Sequence, residues 1–282
     1  MTNRISTTTS INKTKVILIQ GASGSGKSTI TSLLLSLLNH LDINAVSLST
    51  DNYYLSTDSS LTSNGKYDFD NPAAIDWDAV KKTFIDYGNN SETIEKRNYS
   101  FETEAVSYTE EVNSKPSVIL FEGIFSFNIF SDQIFDVNNF NCFELASEHS
   151  DEKMFISNDV DFNAYFDVTR IYLNVEREII ERSRISRYLK DKSRKSKPQY
   201  KGLTDDQALA SIKENLEKYV FPSSEKWVSL GKKGADFIIK KGSFSDELIK
   251  VICNLITHLK LKPNVDSKCI SNHLEESLLK IK

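Results

Sequence analysis

The 282-residue sequence predicts an α/β fold of three layers, in which helices cover both faces of a mainly parallel five-stranded sheet. Short runs of apolar, β-branched residues recur along the chain, and patterns at helical spacing separate several of them. Such runs lack alternating polar residues, which is typical of strands that are buried on both faces of a parallel sheet. A glycine-rich turn also joins the first run to the first helical pattern, as in many α/β units.

Strand and helix patterns alternate from residue 15 onwards. The first strand is predicted over Lys15–Gln20, and the first helix over Thr29–His40, where leucine and isoleucine recur at helical intervals. A last helix over Asp246–Leu261 carries one apolar face and ends before Pro263. Four more strands are predicted over Ala45–Ser49, Ser117–Phe121, Thr169–Val175 and Ala235–Ile239.

Two stretches interrupt this alternation. The segment Thr93–Glu110 alternates in polarity and predicts an antiparallel hairpin that projects from the edge of the sheet. Residues 131–166 have no clear period and are expected to form an insertion of loops with a short helix. The domain is therefore predicted over 15–262, between a disordered start at 1–14 and a polar tail at 263–282 that ends in a frayed helix.

Composition limits the classes of partner. The formal net charge of -4 and the isoelectric point near 5.7 give no reason to expect nucleic acid, and no apolar run reaches the roughly 20 residues of a membrane span. Cys142, Cys253 and Cys269 lack paired spacing, so neither a disulfide framework nor a zinc site is predicted. A cytoplasmic protein fits these features, although the basic, Ser/Thr-rich start faintly resembles an organelle transit peptide.

A P-loop pattern lies between the first strand and the first helix, and it consists of Gly21, Ala22, Ser23, Gly24, Ser25, Gly26, Lys27 and Ser28. Its glycines let backbone N–H groups converge on the phosphates of a nucleoside triphosphate, and the helix that includes Thr29 adds its positive end. Lys27 is expected to reach the β- and γ-phosphates, and Ser28 to bind Mg²⁺. Neither guanine-reading nor GTPase switch motifs follow, which favours a kinase over a GTPase.

Asp51 follows the second strand, at the edge of the sheet where open α/β folds bind their ligands. None of the four histidines lies in a motif, so Asp51 is the predicted general base for an alcohol acceptor. In a loose phosphoryl-transfer transition state, an aspartate can orient the hydroxyl and accept its proton late. The alternative is that Asp51 caps the next segment or binds metal through water.

The segments Asp51–Tyr54, Tyr67–Pro72 and Phe121–Ile124 carry the motifs DNYY, YDFDNP and FEGI. In sequence, order and spacing they resemble three motifs of the uridine kinases, within the phosphoribulokinase/uridine kinase family of P-loop kinases. The resemblance covers about Lys15–Gly242 with gaps, and it excludes the insertion and the tail. It implies ATP- and Mg²⁺-dependent phosphorylation of the 5′-hydroxyl of uridine or cytidine, in pyrimidine salvage.

The resemblance also implies roles for single residues. Asp51 becomes the base, Asp70 binds the ribose hydroxyls, and the walls of the nucleoside pocket are Tyr54, Phe69 and Tyr99. Glu122 corresponds to the metal-site acid, so the expected metal ligands are Ser28, Asp51 and Glu122. The alternatives are a helix cap for Asp70, a structural hydrogen bond for Glu122, and ordinary core positions for the aromatic residues.

Arginine and lysine crowd a helix end and the segment after it, at about residues 184–203. This segment resembles the arginine-rich lid of uridine kinases, whose arginines stabilise charge on the transferred phosphoryl group. The matching positions are Arg184, Arg187 and Arg194, whereas Lys192 replaces an arginine. The resemblance implies that Arg184 and Arg187 act in catalysis and that Arg194 binds ATP. Arg184 is also expected to contact the acceptor. A solvated basic face or an RNA-binding patch is the alternative.

The hairpin departs from the nucleoside kinase pattern, because Glu104 occupies the position of a histidine and Val106 that of an arginine. An ionised Glu104 can only accept hydrogen bonds, so it favours donors such as the cytosine amino group. The acceptor is therefore left open between cytidine, uridine and another hydroxyl compound. A kinase for pantothenate or a sugar derivative and a non-catalytic nucleotide-binding regulator are the alternative functions, and homo-oligomer formation is left open.

Overall fold

Parallel strands form the centre of the structure, a computed structural model that describes residues 13–55, 62–63, 66–133, 162–191, 195, 198–240, 246–261 and 266–281. Within these residues the strands are β1 (Thr14–Gly21), β2 (Ala45–Ser49), β3 (Thr62–Ser63), β4 (Lys66–Tyr67), β5 (Thr93–Ser100), β6 (Ala105–Val112), β7 (Val118–Gly123), β8 (Phe166–Asn174) and β9 (Phe237–Lys240). The central sheet has the order β2-β7-β1-β8-β9, and all its strand pairs are parallel. The predicted fold class is confirmed.

Helices pack on both faces of this sheet. They are α1 (Lys27–His40), α2 (Trp77–Gly88), α3 (Arg177–Lys190), α4 (Asp205–Asn215), α5 (Phe221–Lys226), α6 (Asp246–His258) and α7 (Ser267–Ile281). Successive side chains of β1 point to opposite faces, so Val16 and Phe84 of α2 lie in one core, whereas Ile17 and Leu34 of α1 lie in the other. This arrangement produces the three predicted layers.

The predicted projecting hairpin is confirmed. Strands β5 and β6 pair antiparallel and form a two-stranded sheet of their own. Their strongest contacts outside the hairpin are with α2 and with the 3₁₀ turn Thr50–Tyr53 that follows β2. The hairpin therefore lies over the carboxyl end of β2.

Two segments that were expected to be irregular contribute to the core. The end of the predicted insertion contains Phe162 and Phe166, and Phe130 directly precedes the insertion. All three rings are buried and pack edge-on against Phe84. Residues 134–161 of that insertion, and residues 1–12, lie outside the described residues. The tail is packed rather than frayed, because Ile270 of α7 is buried in the core that α1 and α6 share.

Among the described residues, no helix combines the length and the apolar character that crossing a bilayer requires.

Candidate active site

The carboxyl ends of three neighbouring strands meet at one edge of the sheet. In the register, Ile19 of β1 and Ser49 of β2 both lie beside Glu122 of β7. The P-loop, the turn that carries Asp51 and the Glu122 side chain therefore start from adjacent positions. The sequence predicts this edge as the ligand site, and the parallel topology brings the three segments together there.

The P-loop backbone adopts left-handed conformations at two of its glycines. Gly24 and Gly26 have φ angles of 92° and 99°, in the left-handed region that side chains rarely adopt. A Cβ atom on Gly21 would lie 2.9 Å from the Leu173 Cβ atom, so this position also has no room for a side chain. The Ser25 hydroxyl is buried and has no hydrogen-bond partner among the described residues. A narrow loop with an unsatisfied donor at the start of α1 fits an anionic phosphate.

Lys27 lies at the centre of the acidic residues predicted for the site. Its side chain is buried, and Nζ donates to the Ala22 carbonyl oxygen over 3.1 Å. Burial lowers the pKa of Lys27, whereas the carboxylates of Glu122, Asp51 and Asp70 each act to raise that pKa. The structure thus brings all three acids within electrostatic reach of one ammonium group.

Glu122 accepts hydrogen bonds from two hydroxyl groups. Ser28 Oγ and Ser49 Oγ each donate to Glu122 Oε1 over 3.0 Å. Structural hydrogen bonds, the alternative role considered for Glu122, are therefore present. The described residues contain no cluster of three His, Cys, Asp or Glu side chains that could hold a metal by itself. One carboxylate and a P-loop hydroxyl still fit Mg²⁺, because this ion takes most of its ligands from phosphates and water.

Asp51 is exposed in the 3₁₀ turn Thr50–Tyr53. Ser49 caps this turn, because its hydroxyl accepts from the Asp51 backbone N–H over 3.2 Å. Thr50 is completely buried, and a Cβ atom on Gly123 would overlap its side chain, so the turn lies directly against the end of β7. The glycine of the FEGI motif thereby sets the height of Asp51 above the sheet.

Asp70 is a buried carboxyl group. Burial is the largest cause that raises the pKa of Asp70 to about 6. The charges of Arg184 and Lys27 lower this pKa, whereas the charge of Asp68 raises it further. Ser223 Oγ donates to the Asp70 carbonyl oxygen over 2.5 Å, which ties this residue to α5. Asn71, and not Asp70, caps the following turn, so the helix-cap alternative does not apply to Asp70.

Four aromatic rings form a wall beside these acids. The Tyr54 ring lies edge-on to the rings of Phe69, Tyr99 and Phe101, at centroid distances of 5.2, 5.7 and 5.6 Å. Burial, followed by the charges of Asp51 and Asp70, raises the pKa of Tyr54 well above its usual value. The Tyr99 hydroxyl is buried without a hydrogen-bond partner in the described part of the chain. Phe101 was not predicted from the sequence as a site residue, although it follows Tyr99 at strand spacing.

Helix α3 carries the predicted lid arginines across the P-loop. Arg184 donates to Ser23 Oγ and to Asn215 Oδ1, each over 3.1 Å. A Cβ atom on Gly24 would lie 3.0 Å from Arg184 Cγ, so the helix and the loop are in close contact. The charge of Arg187 acts to lower the pKa of Lys27, so these two cations lie within electrostatic reach of each other. The predicted positions Arg194 and Lys192 lie outside the described residues.

Glu104 occupies the hairpin turn in a left-handed conformation. Its φ angle is 55°, its side chain is exposed, and its N–H donates to the Ser100 carbonyl oxygen over 2.7 Å. After burial, the charge of Glu104 is the next cause that raises the pKa of Tyr99. Val106 lies opposite Tyr99 in the hairpin register. Both departures from the nucleoside kinase pattern are therefore beside the aromatic wall.

Comparisons with known proteins agree with this geometry. The sequence model of the phosphoribulokinase / uridine kinase family matches residues 16–246. Uridine-cytidine kinase A of Dictyostelium discoideum is 28% identical over 250 residues, which are 88% of this chain but only 39% of that protein. Uridine-cytidine kinase B of the same organism is 27% identical over 244 residues, 86% of this chain and 81% of that protein.

A solved structure shows the same fold at lower identity. It is a protein from Silicibacter sp. TM1040 described as a fructose transport system kinase, with a TM-score of 0.51 and 16% identity. The similarity covers 80% of this chain and 90% of that chain.

Proposed function

The chain belongs to the phosphoribulokinase / uridine kinase family, and from this premise we propose that it transfers the γ-phosphoryl group of ATP to the 5′-hydroxyl of a pyrimidine ribonucleoside. Membership of this family makes the protein a phosphotransferase that acts on a hydroxyl group. The observation that carries the proposal is that the P-loop, the turn of Asp51 and Glu122 start from adjacent strand ends, where Ser28 and Ser49 both donate to Glu122. A donor loop and an acceptor-side acid at one site are what direct phosphoryl transfer requires.

The P-loop residues bind the donor. Backbone N–H groups at the start of α1 and the Ser25 hydroxyl donate to phosphate oxygens, and Lys27 neutralises charge on the β- and γ-phosphates. Arg184 and Arg187 extend from α3 toward the same oxygens. Arg184 now donates to Ser23 and Asn215, so these neutral partners can be exchanged for a phosphate when the site fills.

Ser28, Glu122 and Asp51 are the residues that would hold Mg²⁺. The ion, when bound, neutralises charge that develops between the β- and γ-phosphates. The hydrogen bonds from Ser28 and Ser49 orient the Glu122 carboxylate before any ligand arrives. Such orientation matters because a fixed carboxylate needs no reorganisation on binding.

The acceptor lies between the acids and the aromatic wall. Asp70 accepts hydrogen bonds from the vicinal ribose hydroxyls, which orients the 5′-hydroxyl toward Asp51. Asp51 orients this hydroxyl and takes its proton late in the transfer. Tyr54, Phe69 and Tyr99 contact the pyrimidine ring, and the unsatisfied Tyr99 hydroxyl supplies one polar contact within this apolar wall.

A panel of acceptors tests the proposal. ADP release is measured with ATP and Mg²⁺ in the presence of uridine, cytidine, pantothenate or fructose, and the Lys27→Met variant serves as the control for contaminating kinases. We expect turnover with uridine or cytidine alone. Turnover only with pantothenate or fructose would transfer the proposal to another hydroxyl compound. ATP binding without turnover on any acceptor would favour a non-catalytic nucleotide-binding regulator.

A further inference from the structure

Arg97 is a buried charge on the hairpin that contacts the turn of the proposed base. Its side chain is 4% exposed. Its NH1 group donates to the carbonyl oxygen of Asn52, the residue after Asp51, over 2.9 Å. We propose that Arg97 is a positioning residue, which holds the turn that carries Asp51 and couples this turn to the acceptor-binding hairpin. The role rests on the proposed function, because Asp51 acts as the base only in that reaction.

Arg97 also contacts the segment on the other side of the turn. Its NH2 group lies 3.6 Å from Asp76 Oδ2. Asp76 caps α2 by accepting from the Ala79 N–H over 3.0 Å, and its own N–H donates to the Tyr53 carbonyl oxygen over 2.7 Å. One guanidinium group therefore joins the turn directly at Asn52 and indirectly at Tyr53. The planar fork of arginine suits such a two-point contact, whereas lysine offers a single charged centre.

The contact of Arg97 with the turn Thr50–Tyr53, called the clamp below, lies on the same strand as part of the aromatic wall. Arg97 and Tyr99 are two residues apart in β5, so their side chains lie on one face of the hairpin. Tyr99 contacts Tyr54, the residue that directly follows the turn. A shift of the hairpin toward a bound acceptor would therefore move the Asn52 carbonyl group and the Asp51 side chain with it. Arg97 should accordingly affect turnover with the acceptor more than ATP binding.

Stability alone is a poor explanation for this arginine. Its Nε atom is buried and has no hydrogen-bond partner among the described residues. A buried guanidinium with an incomplete set of partners loses solvation without full compensation, and apolar replacements of buried ion pairs are often neutral in stability. Arg170 of β8 provides a matched control, because it is also buried with an unsatisfied Nε, yet its side chain donates to Phe130 O over 3.5 Å, away from the turn.

Steady-state kinetics test the role. Arg97→Met should lower kcat with the acceptor by about tenfold to a hundredfold, as expected for a misplaced catalytic group, and leave the KM for ATP within about twofold. Arg97→Lys should recover part of the loss, and Arg170→Met should leave kcat unchanged. In an Asp51→Asn background, Arg97→Met should cause no further loss, because both changes disable one step. A full additional loss in that background would overturn the proposal.

Amide hydrogen exchange tests the clamp without any acceptor. Peptides that span Ser49–Leu55 should exchange faster in Arg97→Met than in the wild type, and at the wild-type rate in Arg170→Met. Unchanged exchange in Arg97→Met would contradict the clamp, whatever the acceptor is. If the wild type phosphorylates no nucleoside but Arg97→Met loosens the turn, the proposed function fails while the clamp stands. The two failures are thus distinguishable.

Discussion

Ser28 Oγ donates to Glu122 Oε1 over 3.0 Å, across 94 residues of sequence. This bond joins the first turn of α1 to the end of β7, and the same oxygen accepts from Ser49 at the end of β2. Three adjacent segments are therefore linked through one carboxylate at the mouth of the P-loop. The arrangement supplies two of the oxygen ligands that the proposed Mg²⁺ site requires.

Glu122→Gln should weaken the binding of Mg²⁺. The amide keeps the size of the side chain but removes the charge, so we expect the Mg²⁺ concentration for half-maximal rate to rise about tenfold to a hundredfold. ATP binding without Mg²⁺, measured by calorimetry, should change little. Glu111→Gln is the control, because Glu111 forms an exposed ion pair with Lys96 on the hairpin. Equal Mg²⁺ dependence of the Glu122→Gln and wild-type enzymes would contradict the metal role.

Asp51→Asn should lower kcat by roughly 10²- to 10⁴-fold while ATP affinity is retained. The amide can still donate to the acceptor but cannot take its proton. Rapid-quench measurement of nucleotide formation separates this chemical step from product release. Asp167→Asn is the control, since Asp167 pairs with Lys15 at the opposite edge of the sheet. Unchanged turnover in Asp51→Asn would exclude Asp51 as the base.

The sheet and the P-loop were predictable because their signals are local. Strands such as β1 are buried on both faces, and this produces an uninterrupted apolar run that any strand pattern detects. The P-loop is equally local, since its two left-handed glycines lie within three residues of each other. The position of Asp51 followed from one further rule, that parallel strands present their carboxyl ends at one edge.

The remaining features depend on contacts between distant segments. Arg97 is an ordinary basic residue in sequence, and only the fold brings it to Asn52, 45 residues earlier. Ser49 and Asn215 likewise acquire their roles from Glu122 and Arg184, which local patterns do not reveal. Helix α7 was expected to fray because it is only weakly amphipathic. Its burial comes from an apolar surface that α1 and α6 provide.

The raised pKa of Asp70 predicts a pH dependence of acceptor use. Burial raises this pKa to about 6, so Asp70 is protonated below this value and can accept fewer hydrogen bonds from the ribose. We expect kcat/KM for the nucleoside to fall about tenfold per pH unit below about pH 6. Asp70→Asn should have a low kcat/KM without this break. A break near pH 6 that persists in the variant would assign it to another group.

The same pKa predicts a stability change with a defined sign. The folded state holds a proton on Asp70 between the ordinary value of 3.8 and about 6, whereas the unfolded chain does not. The free energy of unfolding should therefore fall, by on the order of 3 kcal/mol, as pH rises through this window. Asp70→Asn should lose this part of the pH dependence and gain stability relative to the wild type at pH 8. Urea unfolding at pH 4.5 and pH 8 measures the difference, and identical pH dependence of the two proteins would contradict it.

Glu104 should select between pyrimidine bases. Its carboxylate lies in the hairpin turn, and its charge raises the pKa of Tyr99. Because an ionised carboxylate only accepts hydrogen bonds, Glu104 favours the cytosine amino group over the uracil carbonyl group. The amide of Glu104→Gln can donate as well as accept. This variant should therefore lower the ratio of kcat/KM for cytidine to kcat/KM for uridine by about fivefold to twentyfold. The size of the change follows because one hydrogen bond to a charged group contributes about 1.5 kcal/mol. Glu102→Gln, an exposed neighbour in the same turn, should leave the ratio unchanged. An unchanged ratio in Glu104→Gln would place base recognition elsewhere, on the Tyr99 hydroxyl or the backbone of the hairpin.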